Sequence, residues 1–466
     1  MPTLFRNLDK FKSKIALIGP DNNKYSYNQI LDRIKYINSK IENRSLILIV
    51  ASNNIQSIIG YITFIRSNNV TILLDKSFKV EYVKKIIKRY KPNYIFCPKG
   101  YIDKIEKIYK SIPLQDYSLI KTSFKKHKKI NKQNLLLLST SGTTQNPKFV
   151  RLSNTNLQNN TKSIIKYLKI NSSHTTITTM PMGYSYGLSI INTHLESGSK
   201  IVVSDKTIFD KEFWNKVNKY KVTSFGGVPQ FYEQLKKLKF ENFNLSSLKY
   251  LTQAGGKLDK NFLNYFKNVC MEKKIKFIIM YGQTEASPRM SYLKWEKFSD
   301  KFESIGKPLD GSKFKILDRK GKYIQIPYST GELIYFGKNV SLGYAHNLKD
   351  LKKGNENKGK LFTGDLAYKD NDGYFYITGR KNRISKVFGI RIDLDDIEKK
   401  LKRNGFKVKC LPDNKYLKIL ITNDYNTGKI KKIIYKFYSI NKNFIFISKV
   451  KQFTNPNYFK EVIKFH

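Results

Sequence analysis

A chain of 466 residues with 40% hydrophobic content is long enough for a large buried core and for two or three domains. Its formal charge of +51 is extreme, yet lysine, asparagine and isoleucine are abundant together and the excess runs the length of the chain. The charge reads as a compositional bias of solvated faces, with attraction to nucleic acid, anionic lipid or an acidic protein as the alternative. No helix-turn-helix, zinc-finger or RNA-binding aromatic signature accompanies it, so nucleic acid is not the expected partner. The three cysteines, Cys97, Cys270 and Cys410, lie far apart and speak against a disulfide framework or a CxxC zinc site. No apolar run reaches the length of a membrane span, and no apolar leader opens the sequence; the expected location is the cytoplasm.

From Arg44 onward short apolar runs alternate with longer amphipathic ones. Leu46 to Val50, Val70 to Leu74 and Tyr94 to Cys97 predict strands; Ile55 to Arg66 and Val80 to Tyr90 predict helices. The same texture returns in Lys200 to Val203, Phe209 to Tyr220, Leu248 to Leu251 and Lys276 to Met280. Such alternation predicts parallel sheets covered by helices, whose ligands bind at loops beyond the carboxyl ends of strands. After Gly331 the segments shorten. Asp370-Asn-Asp-Gly373 predicts a hairpin turn between Leu366 to Tyr368 and Tyr374 to Ile377, in an antiparallel sheet.

The most informative segment is Leu135 to Lys148, four leucines followed by Ser-Thr-Ser-Gly-Thr-Thr-Gln-Asn-Pro-Lys. A buried strand would here feed a phosphate cradle. Gly142 lets the backbone turn its amides toward an anion, the hydroxyls of Thr140, Ser141, Thr143 and Thr144 donate, and Lys148 adds a positive charge. By itself the segment is also compatible with a solvated Ser/Thr loop, and it is not a Walker A loop, since no GxxxxGK[ST] occurs.

Read as a string, Thr140-Ser-Gly-Thr-Thr-x-x-Pro-Lys148 resembles the phosphate-binding signature of the adenylate-forming superfamily of acyl-CoA synthetases, luciferases and peptide-synthetase adenylation domains. Gly226-Gly-Val-Pro229, Gln253-Ala-Gly-Gly256, Tyr281-Gly-Gln-Thr-Glu285, Gly331-Glu332 with Gly343-Tyr344, Thr363-Gly-Asp365 and Gly379-Arg380 follow in the order of that family's other motifs. The resemblance implies an α/β fold: a large N-terminal domain of helix-covered sheets, residues 1–380, and a small mobile α+β C-terminal domain, residues 381–466. It implies that Gly255, Gly256, Tyr281 and Gly282 line the adenine slot and that Asp365 and Arg380 reach the ribose. Thr284 would touch phosphate and Glu285 would hold Mg²⁺, the oxygen ligand that a hard cation beside a triphosphate requires.

The activity so implied is ATP-dependent conversion of a carboxylic acid to an acyl-adenylate with release of pyrophosphate, then transfer to the thiol of CoA or of a phosphopantetheine arm. The acyl pocket would be lined by Tyr184, Gly227 and Ala254, and no aspartate stands near Gly183 to hold an amino-acid ammonium. The family's C-terminal lysine maps to Lys460, although Tyr458-Phe459 stands where the family has Asn-Gly, which keeps Lys464 or a lost lysine in view. Asn382 takes the hinge position, filled in the family by Asp or Lys, and Lys386 and Gly389 fall on the loop of the thioester step. A ligase for an acidic acyl carrier protein is the near alternative, and a non-catalytic relative using its basic surface the remote one.

Overall fold

The computed structural model describes residues 2–101, 110–127, 129–139, 148–318, 320–381, 384–387, 390–411, 413 and 415–450. The chain divides into two compact units; the larger is formed by residues 1–139, 148–363 and 367–378, and the smaller takes in residues 364–366 and the chain from 379 on. The class is α/β, with a large N-terminal and a small C-terminal domain.

Two large mixed sheets build the larger unit. In the first, Val70–Asp75, Leu46–Ala51 and Tyr94–Pro98 run parallel at the centre, and all six residues of Leu46–Ala51 are buried. An uninterrupted apolar run is what a strand covered on both faces needs. The helix Ile55–Arg66 is buried on every side from Ile55 to Ile65, with Asn54 capping it by accepting from the amides of Gln56 and Ser57. By contrast Val80–Tyr90 buries only Val83, Ile86 and Tyr90, one stripe at helical spacing; it stops at Lys91, left-handed at φ 50°, just before Pro92.

In the second large sheet, Ile15–Ile18, Lys200–Val202, Thr175–Ile177, Ser224–Gly227, Tyr250–Gln253 and Lys276–Gly282 are parallel neighbours. The edges of both large sheets differ from the parallel arrangement that the alternation predicts. Arg289–Tyr292 and Lys24–Ser26 in one, and Tyr117–Lys121 and Phe149–Leu152 in the other, pair antiparallel. At one of those edges the connection is short: a turn of six residues returns Lys276–Gly282 to Arg289–Tyr292, too few for a crossover helix.

A third sheet is antiparallel, as the spacing after Gly331 predicts: Lys313–Leu317 pairs with Tyr323–Ile324 and Gly331–Phe336, and Lys360–Lys369 and Phe375–Arg380 extend it. The Asp370 to Gly373 turn is where the sequence puts it, closed by hydrogen bonds from Asp370 N to Tyr374 O and from Gly373 N to Asp370 O. Both flanking strands are longer than predicted, so Thr363-Gly-Asp365 lies within a strand and Arg380 ends one.

In the smaller unit, Val408–Leu411, Leu417–Ile421 and Ile445–Lys449 form a three-stranded sheet. The helices Leu394–Arg403 and Thr427–Tyr438 supply Ile397, Leu401, Ile430 and Ile434 to its own apolar core. Cys97, Cys270 and Cys410 are all buried free thiols. Among the described residues no helix is long and apolar enough to cross a membrane.

Candidate functional site

Register brings the candidate loops of the larger unit together. Gly227 is paired with Gln253, and Gln253 with Ile279. The turns that follow these three parallel strands therefore emerge at one carboxyl edge: Val228-Pro229, Ala254 to Gly256, and Tyr281 to Glu285.

Gly255 sits at φ +87°, and a Cβ there would lie 2.9 Å from Val228 Cγ1 and 3.1 Å from the Tyr184 hydroxyl. A side chain would be both strained and obstructed, so only glycine keeps this turn open. Gln253 Nε2 ties the turn down by donating to Gly256 O at 2.9 Å. Gly282 answers a different need: a Cβ would be 1.8 Å from the Pro288 carbonyl, so the strand and its return segment touch backbone to backbone. Tyr281, half-buried beside it, meets Phe314 edge-on at 6.2 Å.

From this edge polar contacts join the candidates in pairs. Tyr184, half-buried with its hydroxyl at Gly255, precedes Ser185, whose Oγ lies 3.0 Å from Thr284 Oγ1. Glu285, next along, is 5% exposed. Its Oε1 accepts from the Tyr344 hydroxyl at 2.7 Å and its carbonyl accepts from Ser341 N at 2.8 Å. Lys148 places its Nζ 4.4 Å from the centroid of the Tyr344 ring. One tyrosine thus binds a lysine by its face and a carboxylate by its edge.

Tyr344 is held in place by a buried arginine. Phe149–Leu152 pairs antiparallel with Gly343–Ala345, setting Val150 opposite Tyr344. Arg151, fully buried, donates to the carbonyls of Leu342, Tyr344, Lys353 and Gly354 at 2.6–3.2 Å and to Glu356 Oε2 at 2.6 Å. Burial lowers its pKa, with Glu356 opposing.

The proposed acyl pocket lies beside the same edge. Tyr186 meets Tyr184 at 6.5 Å and donates to Thr252 O at 2.7 Å; burial pushes its hydroxyl up to about 12, and Arg289 partly offsets this. Gly227 and Ala254 are joined by the Ala254 N to Gly227 O hydrogen bond of 3.2 Å, and the glycine that walls the interior cavity is Gly226.

Within the smaller unit's residues, Arg380 Nε lies 2.6 Å from Asp365 Oδ1 and Nη2 lies 3.4 Å from Oδ2. Asp365 is 2% exposed. Thr140, Ser141, Gly142, Thr143, Thr144, Asn382, Gly389 and Lys460 lie outside the described residues, as does the side chain of Lys386 on the strand Ile384–Val387.

Sequence reasoning quotes Gly343-Tyr344 but gives the tyrosine no task, and it passes over Ser185, Arg151 and Arg289. The signal for Tyr344 is in the string; the partner it reaches, 59 residues upstream, is not. Among the described residues no group of three or more His, Cys, Asp or Glu side chains comes together. A divalent cation held by Glu285 would thus complete its shell with oxygens from a ligand or water, which suits a phosphate-bound hard ion.

Comparison with known proteins identifies the family. The family model described as AMP-binding enzyme matches residues 4–345. The oxalate–CoA ligase of Arabidopsis thaliana is 29% identical over 268 residues, 56% of this chain and 51% of that protein. A 2-succinylbenzoate–CoA ligase of Bacillus cereus is 28% identical over 279 residues, 59% of this chain and 56% of the relative. These matches span about half the length of the curated relatives. Among solved structures, the o-succinylbenzoate CoA synthetase of Bacillus subtilis in complex with ATP and magnesium ion aligns with a TM-score of 0.69 at 19% identity, covering 97% of this chain and 96% of that one. An amide bond synthetase of Marinactinospora thermotolerans aligns at 0.78 and 15% identity, over 98% and 97%. Fold, motif order and family model converge: the chain belongs to the AMP-binding enzyme family.

Proposed function

We propose that this chain is an AMP-forming acid–thiol ligase. The observation that carries the reading is Tyr344, which keeps the ammonium of Lys148 and the carboxylate of Glu285 on one side chain. A triphosphate needs a fixed cation, and a buried carboxylate is tolerable beside it only with a bridging metal.

The chemistry asks little of an acid or base, because a carboxylate is already a nucleophile. Its oxygen bonds to the α-phosphorus as the bond to pyrophosphate breaks. What must be overcome is repulsion between two anions, by alignment and by positive charge. Gly255, Gly256, Tyr281 and Gly282 receive adenine, Asp365 accepts from the ribose hydroxyls beside Arg380, and the segment Thr140 to Thr144 with Lys148 and Thr284 grips phosphate. Magnesium held by Glu285 would neutralise the triphosphate oxygens. Lys460, from a C-terminal domain beginning near residue 381 and pivoting at Asn382, supplies charge at the α-phosphate. In the second step a thiol attacks the acyl carbon, AMP leaves, and the segment with Lys386 and Gly389 lines the approach. The relatives are named for CoA, which supports CoA as the acceptor. The +51 charge favours an acidic carrier protein as the second reading.

The test is ATP- and magnesium-dependent pyrophosphate release over a panel of carboxylic acids, with hydroxylamine trapping the acyl group. Release with one acid class, reduced about 100-fold or more in Glu285→Ala and Lys460→Ala, is the expected outcome. Failure of the protein to bind ATP overturns the reading.

A further inference from the structure

The helix Ser185–Glu196 leads away from Thr284 into the larger unit, where it walls a small interior cavity of about 20 Å³. Ser189, Thr193 and His194 line it from the helix; Tyr250, Met280 and Arg289 line it from the strands. The space suits one small group.

Three of these side chains are polar and buried. His194 is 3% exposed; its Nδ1 hydrogen bonds Ile190 O at 2.8 Å, while its Nε2 has no partner. Burial holds its pKa at about 4, so the ring is neutral and Nε2 offers a lone pair. The Tyr250 hydroxyl, on a side chain 5% exposed, has a loose contact with Ser224 and no close hydrogen bond. Arg289 is 3% exposed. Its Nε reaches the thioether of Met280 at 3.3 Å and its guanidinium carbon lies 4.0 Å over the Tyr186 ring, and among the described residues no carboxylate pairs with it.

The Tyr167 hydroxyl joins the sulfur and the ring face beside the guanidinium, but none of the three is a counter-ion, and leaving a buried charge without one is costly. Arg151 shows how this chain satisfies a guanidinium that serves only the fold, with four carbonyls and a carboxylate. Arg289 has been left open toward a cavity. The cavity is also within reach of the reacting end: with Ser185 against Thr284, Ser189 and Thr193 lie roughly 6 and 12 Å further along the helix at its ordinary rise per residue.

We infer that Arg289 receives a second carboxylate, so that the acid activated here is a dicarboxylic acid held by one end while the other is adenylated. The assignment rests on the adenylation reading for its first carboxylate. The Tyr250 hydroxyl is the second donor to the bound group. A guanidinium fork grips a carboxylate through two parallel hydrogen bonds, which a monocarboxylic acid of equal length cannot use.

The experiment is equilibrium titration of the pure protein with matched pairs, succinate against butyrate, glutarate against valerate and adipate against hexanoate. It is run on the wild type, Arg289→Lys and Arg289→Met, with thermal melts to establish that each variant folds. At least one dicarboxylate binds about tenfold or more tightly than its partner, Arg289→Lys keeps part of that preference, and Arg289→Met loses it. Equal affinities within every pair, no binding by any acid, or a preference unchanged in Arg289→Met overturns the inference, and the wild-type comparison decides even if a variant misfolds. Pyrophosphate release is followed in parallel. Release with monocarboxylic acids alone upholds adenylation and overturns the receptor, whereas dicarboxylate binding without release upholds the receptor and overturns the activity.

Discussion

Tyr344 couples Lys148 and Glu285, the two groups assigned above to the proposed phosphate site, and its hydroxyl is the part most easily removed. Tyr344→Phe keeps the ring under Lys148 and deletes the hydrogen bond to Glu285 Oε1. Partners that orient a metal-binding carboxylate are worth roughly 10- to 100-fold in metal affinity or activity. The magnesium concentration for half-maximal pyrophosphate release is therefore expected to rise about tenfold in Tyr344→Phe, with the melting temperature unchanged; Tyr344→Leu, which also removes the ring face, loses more activity. A purely structural tyrosine would move the melting temperature and leave the magnesium dependence alone. At this scale the sequence was partly legible. Glu285, Thr284 and Lys148 stand in strings that single them out, and the structure brings Lys148 and Glu285 onto one tyrosine. Arg289 stands four residues beyond Glu285 in no such string, and its significance comes from what fails to meet it, which only packing reveals.

Arg151 belongs to the scale of elements, since it fastens a strand to a loop from a distant part of the chain. Replacing it with methionine keeps the stem and removes the donor from the carbonyls of Tyr344, Lys353 and Gly354, while Leu342 O keeps the amide of Glu356. Each buried acceptor left unmade costs about 1 kcal/mol or more, so Arg151→Met is expected to destabilise by roughly 3 kcal/mol, read from urea unfolding. Glu356→Gln is expected to cost less than about 1 kcal/mol, because its side chain is half exposed and the carbonyl bonds survive. Elements with a strong period were legible: Leu46–Ala51, Ile55–Arg66 and Val80–Tyr90 all form where their apolar spacing predicts. The antiparallel edges were not, because an edge strand has the same local texture as a central one and is distinguished by the length of its connection. Thr363-Gly-Asp365, which lies before the strand predicted from Leu366, is drawn into that strand by its neighbours in the sheet.

For the molecule as a whole the dominant physical fact is the charge of +51. Like charges on one compact body repel, and salt screens exposed charges beyond about 10 Å at 0.1 M. The melting temperature is therefore expected to rise by a few degrees between about 50 and 500 mM sodium chloride, measured by calorimetry at fixed pH; a flat or falling trend would mean that the surface cations are already neutralised by local pairing. The division of α/β class and motif order was legible at this scale, because helix–strand alternation and a series of short signatures survive without any knowledge of contacts. The pairing of Phe149–Leu152 with Gly343–Ala345 was not, and it carries a consequence for how the protein is made. A ribosome that has released residue 300 has already delivered Lys148, Arg151 and Glu285, yet the strand and tyrosine that join them are still to be translated. The proposed nucleotide site therefore cannot assemble on a growing chain until about three-quarters of it has emerged, and its closure waits on this one long-range pairing.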